Sequence, residues 1–146
     1  MSLIRATLER LERLQWLPIL LARLAVGGLF FESGRGKLLY KLDELGEFFT
    51  QLGIPFPHFN AVFVSSTELI GGLCLLLGFA TRIMSIPLAF IMVIAIATSE
   101  IDKANSLGDF LYLPEVFLFV LCVWFIFSGP GKVSIDQAIA DKNGLG

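Results

Sequence analysis

The chain has few side chains that could hold a metal ion or perform nucleophilic chemistry. Its 146 residues include two cysteines and a single histidine, His58. Zinc, iron–sulfur and bis-histidine haem centres each need more nitrogen and sulfur ligands than this. We therefore expect no intrinsic metal or haem centre, and no Ser/His/Asp or Cys/His arrangement supports hydrolysis or acyl transfer. Cys74 and Cys122 stand among apolar residues and are interpreted as small hydrophobic side chains.

Charge is also scarce. Only 16% of the residues are charged, and 11 basic against 13 acidic side chains leave a formal net charge of -2. Without a basic run, the sequence offers no surface suited to nucleic acid. Hydrophobic residues make up 55% of the chain, which is more than a soluble domain of this length could bury. The composition therefore predicts an integral membrane protein with one domain over residues 1–146.

Four apolar segments account for most of the chain. They run over about residues 16–39, 60–79, 83–99 and 112–128. Each has roughly the 17–25 residues that a transmembrane helix needs. The second and third segments are joined only by "ATR", so they must be antiparallel neighbours. The predicted fold is an all-α, integral membrane four-helix bundle.

Shorter helices are expected outside the spans. Residues 2–14 and 42–53 carry apolar side chains along one helical face, which is typical of helices lying in the headgroup region. Ser134 and Gln137 have the spacing of a capping box, which predicts a short cytoplasmic helix over residues 135–142. The sequence thus adds an N-terminal and a first-loop interfacial helix to the bundle.

The distribution of lysine and arginine predicts the orientation. With both termini inside, the cytoplasmic side carries Arg5, Arg10, Arg13, Arg82, Lys132 and Lys142. The outer side carries Lys37, Lys41 and Lys103, with Arg35 at its edge. This excess follows the positive-inside rule, so we expect both termini in the cytoplasm.

Two charged residues fall well inside the predicted spans. Arg23 lies about two turns into the first span, and Glu68 about two turns into the second. A charged side chain near the bilayer centre costs roughly 2.5–3.5 kcal/mol on insertion, so its retention needs a reason. Glu68 shares a helical face with Gly71 and Gly72, where small residues let another helix approach, and Arg23 shares a face with Lys37. Both faces are predicted to point into the bundle.

A second group of charges stands near the end of the first span. Arg35 and Lys37 can extend to the headgroups, and Glu32 can pair with Arg35 one turn away. Two interpretations stay open for Arg23 and Glu68. They connect helices, with Glu68 accepting from Lys37, Arg35 or a hydroxyl, or they line a polar pocket in the outer half of the bundle that holds a ligand headgroup. For the second interpretation the ligand-binding residues are Arg23, Glu32, Arg35, Lys37, Glu68, Gly71 and Gly72.

The fourth predicted span also begins with an acid. Glu115 follows Pro114 in the first turn, where the helix dipole stabilises a negative charge. The sequence thus indicates a structural role for Glu115 and no part in binding.

Three stretches together resemble the DoxX family of small four-helix bacterial inner-membrane proteins. They are "ARLAVGGLFFESGRGKL", "ELIGGLCLLLGFATR" and "GPGKVSID", with "LGIPFP" between the first two. The resemblance implies a multi-pass protein of the bacterial inner membrane with a loose association with redox systems. Relatives include a subunit of a thiosulfate:quinone oxidoreductase and a membrane partner of thiol and superoxide-detoxifying enzymes. The third connection, "TSEIDKANSLGD", lacks the histidine that many members carry there.

From these features we predict a membrane subunit of a redox-linked complex that binds a quinone or other lipid-soluble molecule. The pocket would lie in the outer half of the bundle, and the electrons would come from a partner or from the ligand itself. Expected partners are the lipid bilayer, further membrane or peripheral subunits, or a second copy of the chain. The alternative is a non-catalytic membrane scaffold. A transporter is disfavoured because the sequence lacks the Gly/Pro-broken helix pairs of that class.

Overall fold

The computed structural model describes residues 11–100 and 106–143. Within these ranges the backbone forms helices and turns without any β-strand, so the predicted all-α class is confirmed. Most of the predicted interfacial helix over residues 2–14 lies outside the described residues, as does the middle of the third connection. In chain order the helices are α1 (Trp16–Tyr40), α2 (Leu42–Gln51), α3 (Pro57–Leu77), α4 (Thr81–Ala95), α5 (Leu107–Leu111), α6 (Pro114–Ser128) and α7 (Ile135–Lys142).

Three helices are long and apolar enough to cross a bilayer. They are α1, α3 and α4, the last extended to Thr98 by a π-helical turn over Ile96–Glu100. Helix α6 is apolar but has only 15 residues. At 1.5 Å per residue it is about 22 Å long, short of the roughly 30 Å hydrocarbon core. Three spans are therefore supported by length, and the fourth stays a prediction.

The long helices pack side by side in the order α1, α3, α4, α6. Helices α1 and α6, at the two ends of this order, touch only over a short stretch. The buried core between the helices includes Val26, Phe30, Leu75, Leu88, Cys122 and Phe125. Their outer faces are apolar as well, since Leu29, Phe63, Phe90 and Phe117 are between 57% and 64% exposed. Such a surface on every long helix belongs in lipid, and the membrane class is confirmed.

Helix α2 crosses the end of the bundle next to α3. Gly46 of α2 packs against the His58 ring, since a Cβ on Gly46 would lie 2.7 Å from His58 Cε1. Pro57 stands in the first turn of α3, where its missing N–H is not needed. The Asn60 side chain donates to the Pro55 carbonyl at 2.6 Å and fixes the connection between the two helices. These contacts hold α2 over the space between the long helices.

The opposite end of the bundle is held by the C-terminal segment. The Asp136 carboxylate accepts hydrogen bonds from the backbone N–H groups of Ala80, at 2.8 Å, and Thr81, at 3.1 Å. These N–H groups start α4 and have no intrahelical partner, so Asp136 caps α4 from a distant part of the chain. Ser134 Oγ accepts from the Gln137 N–H at 3.1 Å and caps α7, as predicted, but the Gln137 side chain donates to Asp141 and does not complete the capping box.

Candidate functional site

A cavity of about 270 Å³ lies at the end of the bundle that α2 covers. Most of its lining is apolar and includes Phe30, Leu45, Phe48, Phe49, Val64, Met92 and Leu118. Its polar lining residues are Ser33, Lys37, Glu68, Thr98 and Glu115. An apolar wall with a few convergent polar groups is the usual form of a small-molecule site, so this cavity is the candidate site.

An ion pair between α1 and α3 is the main electrostatic feature of the cavity. Lys37 Nζ lies 2.7 Å from both carboxylate oxygens of Glu68. Ser33 Oγ donates to Glu68 Oε2 at 2.9 Å. The Glu68 side chain is 2% exposed and the Lys37 side chain 31% exposed. The carboxylate is thus held in place, whereas the ammonium has a third proton that its contacts with Glu68 do not use.

Small residues bring α1 and α3 close enough for this pair. A Cβ on Gly34 would lie 2.7 Å from Ser65 O, and one on Gly72 would lie 2.8 Å from Gly27 O. Both distances are too short for a side chain, so the backbones touch directly at these points. The two contacts flank Glu68 along α3 and place its carboxylate against α1. Glu68 and Gly72 therefore face inward, as their shared stripe predicted.

The charges next to Lys37 on α1 lie outside the cavity. Arg35 Nη2 lies 2.7 Å from Glu32 Oε2, and the two side chains are 48% and 63% exposed. The pairing of these residues is confirmed, but neither lines the cavity. Gly71 is also separate from it, because a Cβ there would lie 2.9 Å from Leu88 Cδ1 of α4.

Arg23 is buried at the opposite end of the bundle. It is 2% exposed, and its guanidinium donates to the backbone carbonyls of Pro130 and Val133, the latter at 2.7 Å. The side chain thus anchors α1 to the segment between α6 and α7. Of the seven residues predicted to bind a ligand, Lys37 and Glu68 line the cavity, and the other five lie elsewhere.

Glu115 lines the cavity although the sequence indicated only a structural role. It enters from the first turn of α6, directly after Pro114. Its Oε2 atom is buried and has no hydrogen-bond partner among the described residues. A buried oxygen without a partner costs free energy, and a hydrogen bond from a bound donor would offset that cost. Periodicity could not reveal this residue, because its position opposite α1 depends on how α6 packs.

The polar groups of the cavity are an ammonium, two carboxylates and two hydroxyls, which can donate and accept hydrogen bonds. Among the residues that the structure describes, no group of three or more His, Cys, Asp or Glu side chains could hold a metal ion. Cys74 and Cys122 are free thiols, and neither lines the cavity.

Fold and site together define a small helical membrane protein with a charged cavity between its helices. The chain belongs to the DoxX family, whose model matches residues 18–100. It is 29% identical over 136 residues to an "Uncharacterized membrane protein" of Mycobacterium tuberculosis, covering 85% of this chain and 82% of the relative. It is 31% identical over 127 residues to "Putative oxidoreductase CatD" of Bacillus subtilis, covering 86% and 90%. No solved structure matches the chain significantly.

Proposed function

We propose that this protein binds the ring of a quinone, or of a similar lipid-soluble carbonyl compound, in the cavity below α2. In this proposal it is a membrane subunit of a redox-linked complex. The observation that carries the proposal is the Lys37–Glu68 pair, whose carboxylate is buried and whose partly exposed ammonium lines a largely apolar cavity. Keeping the Glu68 carboxylate buried within an apolar helix is costly, which favours a role in binding over simple packing.

The size of the cavity suits a single substituted ring system. A cavity of about 150 Å³ accommodates benzene, so about 270 Å³ leaves room for a ring with substituents. One lining residue, Leu29, stands midway along α1 and is 60% exposed on the lipid-facing surface. A ring in the cavity could therefore keep an attached isoprenoid tail in the bilayer.

Lys37 is the group that would hold the ring oxygen. Its third proton can be donated to a carbonyl, and hydrogen bonds from a charged donor are about twice as strong as neutral ones. Glu68 accepts from both Lys37 and Ser33, so its role is to hold the ammonium in position. Arg35 takes no part in this proposal because Glu32 occupies it on the exposed face.

The redox association is supported by the oxidoreductase name of the Bacillus subtilis relative. In this scheme the protein binds and orients the ring, and a partner enzyme exchanges electrons with it. The complex would lie in the bacterial inner membrane with both termini in the cytoplasm, as the lysine and arginine bias favours. The cavity then lies in the outer half of the bilayer, and Arg23 and Asp136 lie at the inner end.

Quinone binding to the purified protein in lipid nanodiscs tests this function. A radiolabelled naphthoquinone with one prenyl unit is the probe, and empty nanodiscs give the background. Lys37→Met should lower the affinity about tenfold or more, since it removes a charge-assisted hydrogen bond. Glu68→Gln should also weaken binding, because the ammonium loses the group that orients it.

The exposed pair supplies matched controls on the same helix. Glu32→Gln and Arg35→Met make the same chemical changes outside the cavity and should keep the affinity within about threefold. Absence of specific binding to the unmodified protein would refute the proposal, as would equal affinities for Lys37→Met and Arg35→Met. Either result would favour the scaffold, which needs no ligand in the cavity.

A further inference from the structure

Glu115 constrains a part of the ligand that the Lys37–Glu68 pair does not contact. We propose that its carboxylate accepts a hydrogen bond from a hydroxyl group of the ligand, so that the cavity prefers the quinol to the quinone. This inference rests on the proposed function and specifies the redox form that the site selects. The family match ends at residue 100 and so covers Lys37 and Glu68 but not Glu115.

Most hydrogen-bonding capacity in the cavity is already used within the protein. Ser33 donates to Glu68, and Thr98 Oγ1 donates to the Ile94 carbonyl at 2.8 Å. Glu68 accepts through both oxygens. Among the cavity side chains, Lys37 is the donor that keeps an unused proton, and Glu115 is the carboxylate that has an oxygen without any partner.

Lys37 and Glu115 require opposite hydrogen-bonding groups on the ligand. An ammonium only donates, and an ionised carboxylate only accepts. They stand on different helices, α1 and α6, and both line the cavity that would hold the ring. A quinone has two carbonyl acceptors and satisfies Lys37 alone. A quinol has two hydroxyls, each able to donate and accept, and satisfies both residues.

The position of Glu115 fits a hydrogen-bond acceptor. It stands in the first turn of α6, where the helix dipole stabilises negative charge. An interaction with the helix dipole alone would not require Oε2 to be buried. A carboxylate that lines the cavity and has an oxygen without a partner is available to a hydroxyl group of the ligand.

The decisive measurement is the ratio of quinol affinity to quinone affinity. The one-prenyl naphthoquinone, its hydroquinone kept reduced without oxygen, and the dimethyl ether of that hydroquinone compete for the labelled quinone in nanodiscs. The hydroquinone should bind about 10- to 100-fold more tightly than the quinone, the range expected for a hydrogen bond to a charged acceptor. The dimethyl ether cannot donate, so it should show no such advantage.

Substitution of Glu115 should remove the preference. Glu115→Leu takes away the acceptor, so the affinity ratio should fall to about one. If the leucine variant folds poorly, Glu115→Gln takes its place. It keeps the size of the side chain and a neutral acceptor, so it should give an intermediate affinity ratio. The matched control Glu32→Leu removes an exposed acid and should retain the full preference.

The outcomes separate this inference from the proposed function. If quinone binds in a Lys37-dependent way but quinol binds equally well, only the role of Glu115 is refuted. A preference for the quinol that survives in both Glu115 variants would also refute the role of Glu115. Tighter binding of the quinone would refute it too, because Glu115 would then be a donor. If neither form binds specifically, the proposed function itself fails.

Discussion

Removing the Lys37 ammonium should destabilise this protein far more than removing the Arg35 guanidinium two residues earlier. Lys37→Met leaves the Glu68 carboxylate 2% exposed, with Ser33 as its remaining partner. Breaking a buried ion pair from one side costs about 3–5 kcal/mol. Because Ser33 still donates to the carboxylate, we expect the lower end, about 3 kcal/mol. Arg35→Met breaks an exposed pair and should change the stability little.

The two halves of the buried pair should not respond equally. Glu68→Gln leaves Lys37, which is 31% exposed and stands in the last turn of α1. Its long side chain can move the ammonium toward the membrane surface, so the cost should be about 1 kcal/mol. The double variant has no uncompensated charge and should be more stable than Lys37→Met alone. The cycle should therefore show a coupling energy of about 1–3 kcal/mol.

Reversible unfolding in mixed micelles checks these values. Sodium dodecyl sulfate is titrated into the protein in a mild detergent, and helix content is followed by circular dichroism. The reasoning is refuted if Lys37→Met is no less stable than Arg35→Met. It is also refuted if the losses of the two single variants add in the double variant, since an intact pair requires them to be coupled.

Three further substitutions probe the rest of the bundle. Gly72→Val places a Cβ 2.8 Å from a backbone oxygen of α1 and should lower the free energy of unfolding by about 1–3 kcal/mol in the same assay. The control Gly28→Val should be tolerated, because nothing lies within 4 Å of its Cβ. Asp136→Ala uncaps α4 and should cost about 1 kcal/mol, and the exposed Asp141→Ala should not. Arg23→Met removes the hydrogen bonds that hold residues 129–134, so this segment should be cleaved faster by proteases in nanodiscs. Quinone affinity should stay within about threefold, and a larger loss would indicate that Arg23 takes part in binding.

The inward direction of Glu68 was predictable because it depends on local spacing. In a helix, Glu68 and Gly72 share one face, and an acid beside small residues in an apolar span is compatible with a helix interface and not with lipid. Local spacing does not determine the partner of Glu68. Lys37 and Arg35 both stand near the end of α1. Two residues along a helix differ by about 200° in direction, so the two side chains point to opposite sides of α1. Only the packing of α1 on α3 selects Lys37.

The sequence by itself determined the chemical class of this protein: an all-helical membrane chain, DoxX stretches, and acids and bases too deep in apolar segments to be accidental. Those properties follow from composition and short-range periodicity, which every helix carries locally. The tertiary structure alone decided which charges share a space. Arg23 finds its carbonyl partner 107 residues away, and Glu115 faces the cavity only because α6 packs on α4. Such pairings depend on the relative rotation and position of helices distant in the chain, which local spacing does not specify.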